Sequence, residues 1–269
     1  MPAPRDPLRD VSLCWLTIAD ADHVELVEVA ANAGFGAVGL KLAPRPGDPV
    51  PAVAGDERKL AQVRAALHRT GLKALNMGGV WIAPEFDLHQ LEPSLNAGAE
   101  LGARYLIAVG IDPDRSRTVD NLAALQQLAG RYGISTLVEF TIYTQIRTLA
   151  DTRSAIGATG RDGMGILLDA LHFCRSGGTP AELAVTANDD IVMFHLCDAP
   201  ARPPEDLRFE GRSNRLFPGQ GELPLVALLQ SLPRAIVEVE APSQSKLPPR
   251  ERAMAVAEAT RDVLGRLAQ

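Results

Sequence analysis

Short, almost continuously apolar runs alternate along the chain with longer segments of helical spacing. "VSLCWLTI" (11–18) reads as a strand, and "HVELVEVAANAG" (23–34) as a helix closed by Gly34. "GAVGLKL" (36–42) is a second strand, followed by the loop "RPGDPVPAVAGD" (45–56) and a helix through "ERKLAQVRAALHRTG". "LKALNMGGVWI" (72–82), "YLIAVGI" (105–111) and "STLVEFT" (135–141) continue the series, with helices expected near 88–102, near 118–132 and over "RTLADTRSAIG". "GILLDALHF" (165–173) is a sixth strand, with a short helix near "TPAELAV", and "IVMFHLCD" (191–198) is a seventh. A loop rich in Pro, Arg and Gly leads to the helix "LPLVALLQSL"; "AIVEVEA" (235–241) is the eighth strand, and "PPRERAMAVAEATRDVLGRLA" closes the chain.

Eight strand-then-helix units follow one another. The strands are apolar on both faces, as parallel strands covered on both sides must be. This pattern points to the α/β class and to a (β/α)8 TIM barrel occupying residues 1–269 as one domain. An open doubly wound sheet is the alternative, and no G-x-G-x-x-G follows the first strand to support it. The 269 residues agree with a barrel, which runs to about 250 residues as one domain.

Composition changes this picture little. Hydrophobic residues make up 46% of the chain, enough for a large core, and the net charge of −6 argues against a broad basic face for nucleic acid. No apolar run approaches the roughly 20 residues of a membrane span, and the first ten residues have no signal-like apolar region. Cys14, Cys174 and Cys197 form no CxxC and read as free thiols, as expected of a cytoplasmic protein. The partner expected is a small-molecule substrate, with neither nucleic acid nor membrane; a homo-oligomer is compatible with the chain.

The strand ends carry the chemistry. In such barrels the active site lies at the C-terminal ends of the strands. Four consecutive strands end in a potential metal ligand: "TLVE" in Glu139, "ILLD" in Asp169, "IVMFH" in His195 and "AIVEVE" in Glu240. Charged groups beside an apolar core need compensation. Three converging carboxylates repel one another, and one divalent cation removes that repulsion. Three oxygens and one imidazole suit Mn²⁺ first, with Mg²⁺, Co²⁺ or Zn²⁺ as alternatives. Glu238 shares a face with Glu240, because side chains alternate with period two. Glu240 lies nearer the rim and is the favoured ligand.

Further candidates flank these four. His172, three residues past Asp169, can point back to bind a substrate oxygen. Asp198, three past His195, can orient that imidazole or bind substrate. Arg215, beside the Pro-Gly turn of "RLFPGQGELP", suits a substrate carboxylate or phosphate, and Arg212 competes for that role. His23, His68 and His89 read as surface residues of the outer ring. Trp81, Phe140 and Tyr143 are the aromatic residues available to a sugar ring.

The stretches "LVEFTIYTQIRTLAD", "GILLDALHFCRSGGTPAEL", "FHLCDAP", "RLFPGQGELPL" and "VEVEAPS" together resemble the xylose isomerase-like barrel superfamily, the sugar phosphate isomerases and epimerases. The resemblance covers roughly 135–245; the first half matches mainly in architecture. It implies a metal site at Glu139, Asp169, His195 and Glu240, with substrate contacts from His172 and an Arg near 215. One departure is Gln220, where the turn often carries Glu. The activity implied is a divalent-metal-dependent isomerase or epimerase acting on a small polyhydroxylated carbonyl compound such as a sugar, sugar acid or cyclitol. Glu139 and Glu240 would transfer the α-proton through an enediolate. A lyase or dehydratase on a related hydroxy-keto substrate, and a non-catalytic metabolite-binding barrel, are the alternatives. A phosphodiesterase of the apurinic-endonuclease type needs more histidines than the five present, and a basic DNA face.

Overall fold

The computed structural model describes residues 6–42 and 52–268. Eight strands, β1 (Ser12–Cys14), β2 (Ala37–Gly39), β3 (Lys73–Ile82), β4 (Tyr105–Gly110), β5 (Ser135–Glu139), β6 (Gly165–Asp169), β7 (Ile191–Leu196) and β8 (Ile236–Val239), pair in chain order. Every pairing is parallel, and β1 closes the barrel against β8 through Ser12↔Glu238 and Leu13↔Val239. The outer ring is α1 (His23–Ala33), α2 (Glu57–Thr70), α3 (Glu92–Leu101), α4 (Arg115–Arg131), α5 (Leu149–Thr159), α6 (Ala170–Arg175), α7 (Pro180–Ala184), α8 (Leu207–Ser213), α9 (Leu225–Ser231) and α10 (Pro249–Gly265). The (β/α)8 barrel expected from the alternation is the fold observed.

Side-chain alternation explains where the site sits. Leu137, Leu167 and Met193 point into the barrel with Leu75, Tyr105 and Ile107, forming an apolar plug. Two residues later on the same strands come Glu139, Asp169 and His195, so the same periodicity that fills the barrel aims these polar groups at its mouth. Each fully buried Leu or Met of the plug contributes about 1.5–3 kcal/mol. The intervening residues, such as Val138, Leu168, Phe194 and Leu196, face outward into the larger core beneath the helices.

Several strands are shorter than the sequence reading, β2 covering only Ala37–Gly39 of 36–42, and three departures bear on the site. The run 11–18 is strand only over Ser12–Cys14, because a 3-10 turn occupies Trp15–Ile18. The sixth run stops being strand at Asp169, whose carboxylate accepts the His172 N–H at 3.0 Å and caps α6. The segment read as a Pro/Arg/Gly loop contains α8, capped by Asp206 accepting from the Phe209 N–H at 2.8 Å. The loop expected over 45–56 lies outside the described residues up to position 51. Among the described residues no helix is long and apolar enough to cross a membrane, and all three cysteines are free thiols.

Candidate metal centre and active site

Glu139 and Asp169 are the last residues of β5 and β6, His195 is the next to last of β7, and Glu240 directly follows β8. One ligand atom from each lies within 4.8 Å of the other three. Local structure fixes each position. Asp169 uses Oδ1 to cap α6, which leaves Oδ2 turned toward the barrel axis. Thr17 Oγ1 donates to the Val239 carbonyl at 3.0 Å and accepts the Ala241 N–H at 2.9 Å, so it brackets Glu240. His195 binds the Glu238 carboxylate through Nε2 at 2.9 Å. Its Nδ1 is buried without a hydrogen-bond partner. That nitrogen faces Glu240 Oε2 at 3.5 Å, Asp169 Oδ2 at 3.8 Å and Glu139 Oε1 at 4.0 Å.

Arg215 lies against the same acids. Its Nη1 donates to Asp169 Oδ2 at 2.5 Å and its Nη2 sits 3.0 Å from Glu240 Oε2. The backbone carbonyls of Glu240 and Gly211 accept from Nη1 and Nε at 3.1 and 2.8 Å. Burial and the charge of Glu240 push Glu139 up to about 8. Burial also opposes the charged form of Glu240, yet the His195 and Arg215 charges hold its pKa well below the usual carboxylate range. For His195, burial favours the neutral ring, but the Glu240 charge and the Glu238 hydrogen bond outweigh it and raise the pKa. Three converging carboxylates and one unpartnered imidazole nitrogen fit a divalent ion, since hard oxygen donors with one histidine match Mn²⁺, Mg²⁺, Co²⁺ and Zn²⁺.

A cavity of about 340 Å³ opens above these residues, lined by Glu139, Glu240, His172, Arg215 and Tyr143 on one side and by Trp15, Lys41 and Trp81 on the other. His172 is buried, with Nδ1 unpartnered. Tyr143 meets its ring edge-on at 5.3 Å between centroids. Burial lowers the His172 pKa to about 4, so the ring is neutral near pH 7. Lys41 Nζ lies 4.6 Å from the Trp15 ring centroid, and the Arg212 guanidinium 5.2 Å from that of Trp81. Arg215 and Arg212 therefore both line the cavity, one buried among the acids and the other exposed at the mouth. Phe140 is fully buried in the outer core. Trp15 and Lys41 are not among the site residues expected from the sequence. Trp15 lies inside the apolar run 11–18, so the sequence carries no signal that separates it from core.

Asp198 is a correction to the sequence expectation. It does not line the cavity. Its Oδ1 accepts the N–H groups of Ala199 and Leu223 at 2.8 and 3.0 Å, and its Oδ2 those of Gly219 and Gly221 at 3.0 and 2.9 Å. The carboxylate thus staples the "PGQG" turn to the end of β7. Gly221 is required there, because a Cβ would lie 2.4 Å from the Ala199 carbonyl and 2.5 Å from Asp198 Oδ1. Gln220 is exposed on that turn and lies outside the cavity lining. Above the site, Arg175 of α6 clamps Glu210 of α8 through Nη2 at 2.6 Å and Nε at 3.0 Å. His23 is not a surface residue: it is buried, and its Nε2 bonds the Lys41 carbonyl at 2.6 Å. His68 and His89 are exposed, as expected.

Comparisons with known proteins agree with this architecture. Inosose isomerase of Bacillus subtilis (strain 168) is 26% identical over 182 residues, 62% of this chain and 64% of that protein, so the chain spans under two thirds of that relative's length. A 3-dehydroshikimate dehydratase of Pseudomonas putida is 26% identical over 117 residues, 43% of this chain and 18% of that protein. A crystal structure of an IolI protein with a bound zinc atom superposes with a TM-score of 0.78 at 19% identity, covering 96% of this chain and 98% of that one. At that identity the likeness shows the fold. A family model described as xylose isomerase-like TIM barrel matches residues 27–263. The chain belongs to the xylose isomerase-like TIM barrel family.

Proposed function

We propose that this barrel is a divalent-metal-dependent isomerase or epimerase of a small polyhydroxylated carbonyl compound. The observation that carries the reading is the unpartnered Nδ1 of buried His195, facing three carboxylates at the base of the cavity. Glu139, Asp169, His195 and Glu240 would hold the ion, with manganese the first to test and zinc the next. When bound, the ion supplies Lewis acidity to a substrate carbonyl. Glu139 and Glu240 are the two carboxylates that line the cavity, so one removes a carbon-bound proton next to the carbonyl and the other returns one. His172 lines the cavity and can hydrogen-bond a substrate oxygen, and the buried Arg215 fixes the carboxylates it touches. Trp15 and Trp81 provide the apolar surface for the remaining carbons.

The test is a panel of ketoses, keto acids and inososes incubated with metal-loaded protein in D₂O. Deuterium should enter at the carbon next to the carbonyl. Turnover with the hydrogen retained from a substrate deuterated at that carbon would overturn the two-glutamate assignment. A dehydratase reading has one supporting observation, the similarity to the 3-dehydroshikimate dehydratase of Pseudomonas putida. Loss of water from the product separates it from isomerisation.

A further inference from the structure

One buried carboxylate in the barrel, Glu238, is not used by the reaction proposed above. It is fully buried on β8, in register with His195 on β7. Four hydrogen bonds converge on its two oxygens. Ser12 Oγ of β1 donates to Oε1 at 2.6 Å, and Asn76 Nδ2 of β3 donates to Oε1 and Oε2 at 3.0 and 2.9 Å. His195 Nε2 completes the set at 2.9 Å from Oε2. The Asn76 amide has a defined orientation, because its Oδ1 accepts the Gly78 N–H at 3.1 Å and its NH₂ must then face Glu238. A carboxylate surrounded by donors acts as an acceptor, so the proton of the shared bond belongs to His195 Nε2.

The barrel is shaped around this network. Gly39 of β2 packs against it: a Cβ there would lie 2.5 Å from Glu238 Oε1 and 2.9 Å from Asn76 Nδ2. The pairing register shifts between Val38 and Gly39 and again between Asn76 and Gly79, beside the two residues that make room for Glu238 and hold it. We propose that Glu238 is a positioning residue: by holding the Nε2–H of His195 it presents Nδ1 to the divalent ion, with Ser12 and Asn76 fixing its own orientation. The inference rests on the metal-site reading above. A second group, Cys14, His195 and Glu238, also brings its ligand atoms within 4.8 Å of one another. Its Glu238 oxygens are already filled, and the Cys14 thiol donates to Glu240 Oε1 at 3.3 Å, so it competes poorly for an ion.

The test starts from the wild-type protein loaded with Zn²⁺ and labelled with ¹⁵N-histidine. Two-bond ¹H–¹⁵N spectra should show His195 protonated at Nε2 and metal-shifted at Nδ1; the reverse pattern would overturn the proposal without any variant having to fold. Zn²⁺ and Mn²⁺ affinities, measured by competition with a chelating dye, should then fall 10–100-fold in Glu238→Gln, the usual loss for an outer-shell partner. Ser12→Ala, which leaves the His195 bond in place, should show a smaller loss. A folded Glu238→Gln protein with a lower melting temperature but unchanged affinity would make Glu238 structural only and sink the idea. A thiolate charge-transfer band in the Co²⁺-loaded wild type, absent in Cys14→Ser, would put the ion in the lower group and overturn it as well. Wild-type protein that takes up no ion would remove the metal-site reading itself, and this inference with it.

Discussion

The two arcs of the barrel mouth are built from different materials. From β5 to β8, the groups facing the cavity base are compact and buried: Glu139, Asp169, His195 and Glu240, with Arg215 laid across two of them. From β1 to β3, they are large and half-exposed: Trp15, Lys41 and Trp81. One arc holds its side chains on strand ends braced by Thr17, Glu238 and the α6 cap. The other stacks cations on indole rings. On the proposed function, the difference implies a division of labour, with reactivity set by the first arc and fit to the substrate set by the second.

That division can be broken experimentally. The largest effect is expected in the first arc. Glu139→Gln should slow deuterium exchange into substrate by about 10²- to 10⁴-fold, the usual contribution of a positioned acid or base. Next comes Arg215→Ala, which strips the buried Asp169 and Glu240 of their guanidinium partner. Breaking a buried ion pair from one side destabilises by about 3–5 kcal/mol, to be read from chemical denaturation of the chelator-treated protein. Asp198→Ala leaves four backbone N–H groups without their acceptor and should lose about 1–3 kcal/mol, with protection of the 219–223 amides falling in hydrogen exchange. The smallest effect belongs to the second arc: Trp81→Ala removes the surface under Arg212 and should raise KM by about tenfold or less while kcat holds. If Trp81→Ala depressed kcat as deeply as Glu139→Gln, the two arcs would not divide the work in this way.

The same contrast explains what could be read from the chain. A carboxylate or histidine closing an apolar run violates the expectation for a buried strand, so Glu139, Asp169, His195 and Glu240 stood out. Trp15 did not, because an aromatic inside an apolar run looks like more core. Period two placed Glu238 and Glu240 on one face. It could not show that Ser12 and Asn76, far away in sequence, converge on the first of them. Asp198 has the spacing of a site residue, but three of the four donors that claim it lie more than twenty residues away. The helix α8 escaped notice because its short segment, "LRFEGRS", has too few apolar positions to show a period.

The Arg175–Glu210 clamp bears on how molecules reach and leave the site. Both side chains are almost fully buried, at 6% and 2% exposure, and Arg175 also holds the Pro200 and Ala201 carbonyls at 2.7 and 3.2 Å. A bidentate pair of this kind ties α8 to α6, so the stretch of wall carrying Gly211 and Arg212 is fastened down. The opposite side of the cavity is lined by the half-exposed Trp15, Lys41 and Trp81. On the proposed reaction, a compound approaching along that side would meet the indole rings first and the carboxylates last, with its carbonyl end leading.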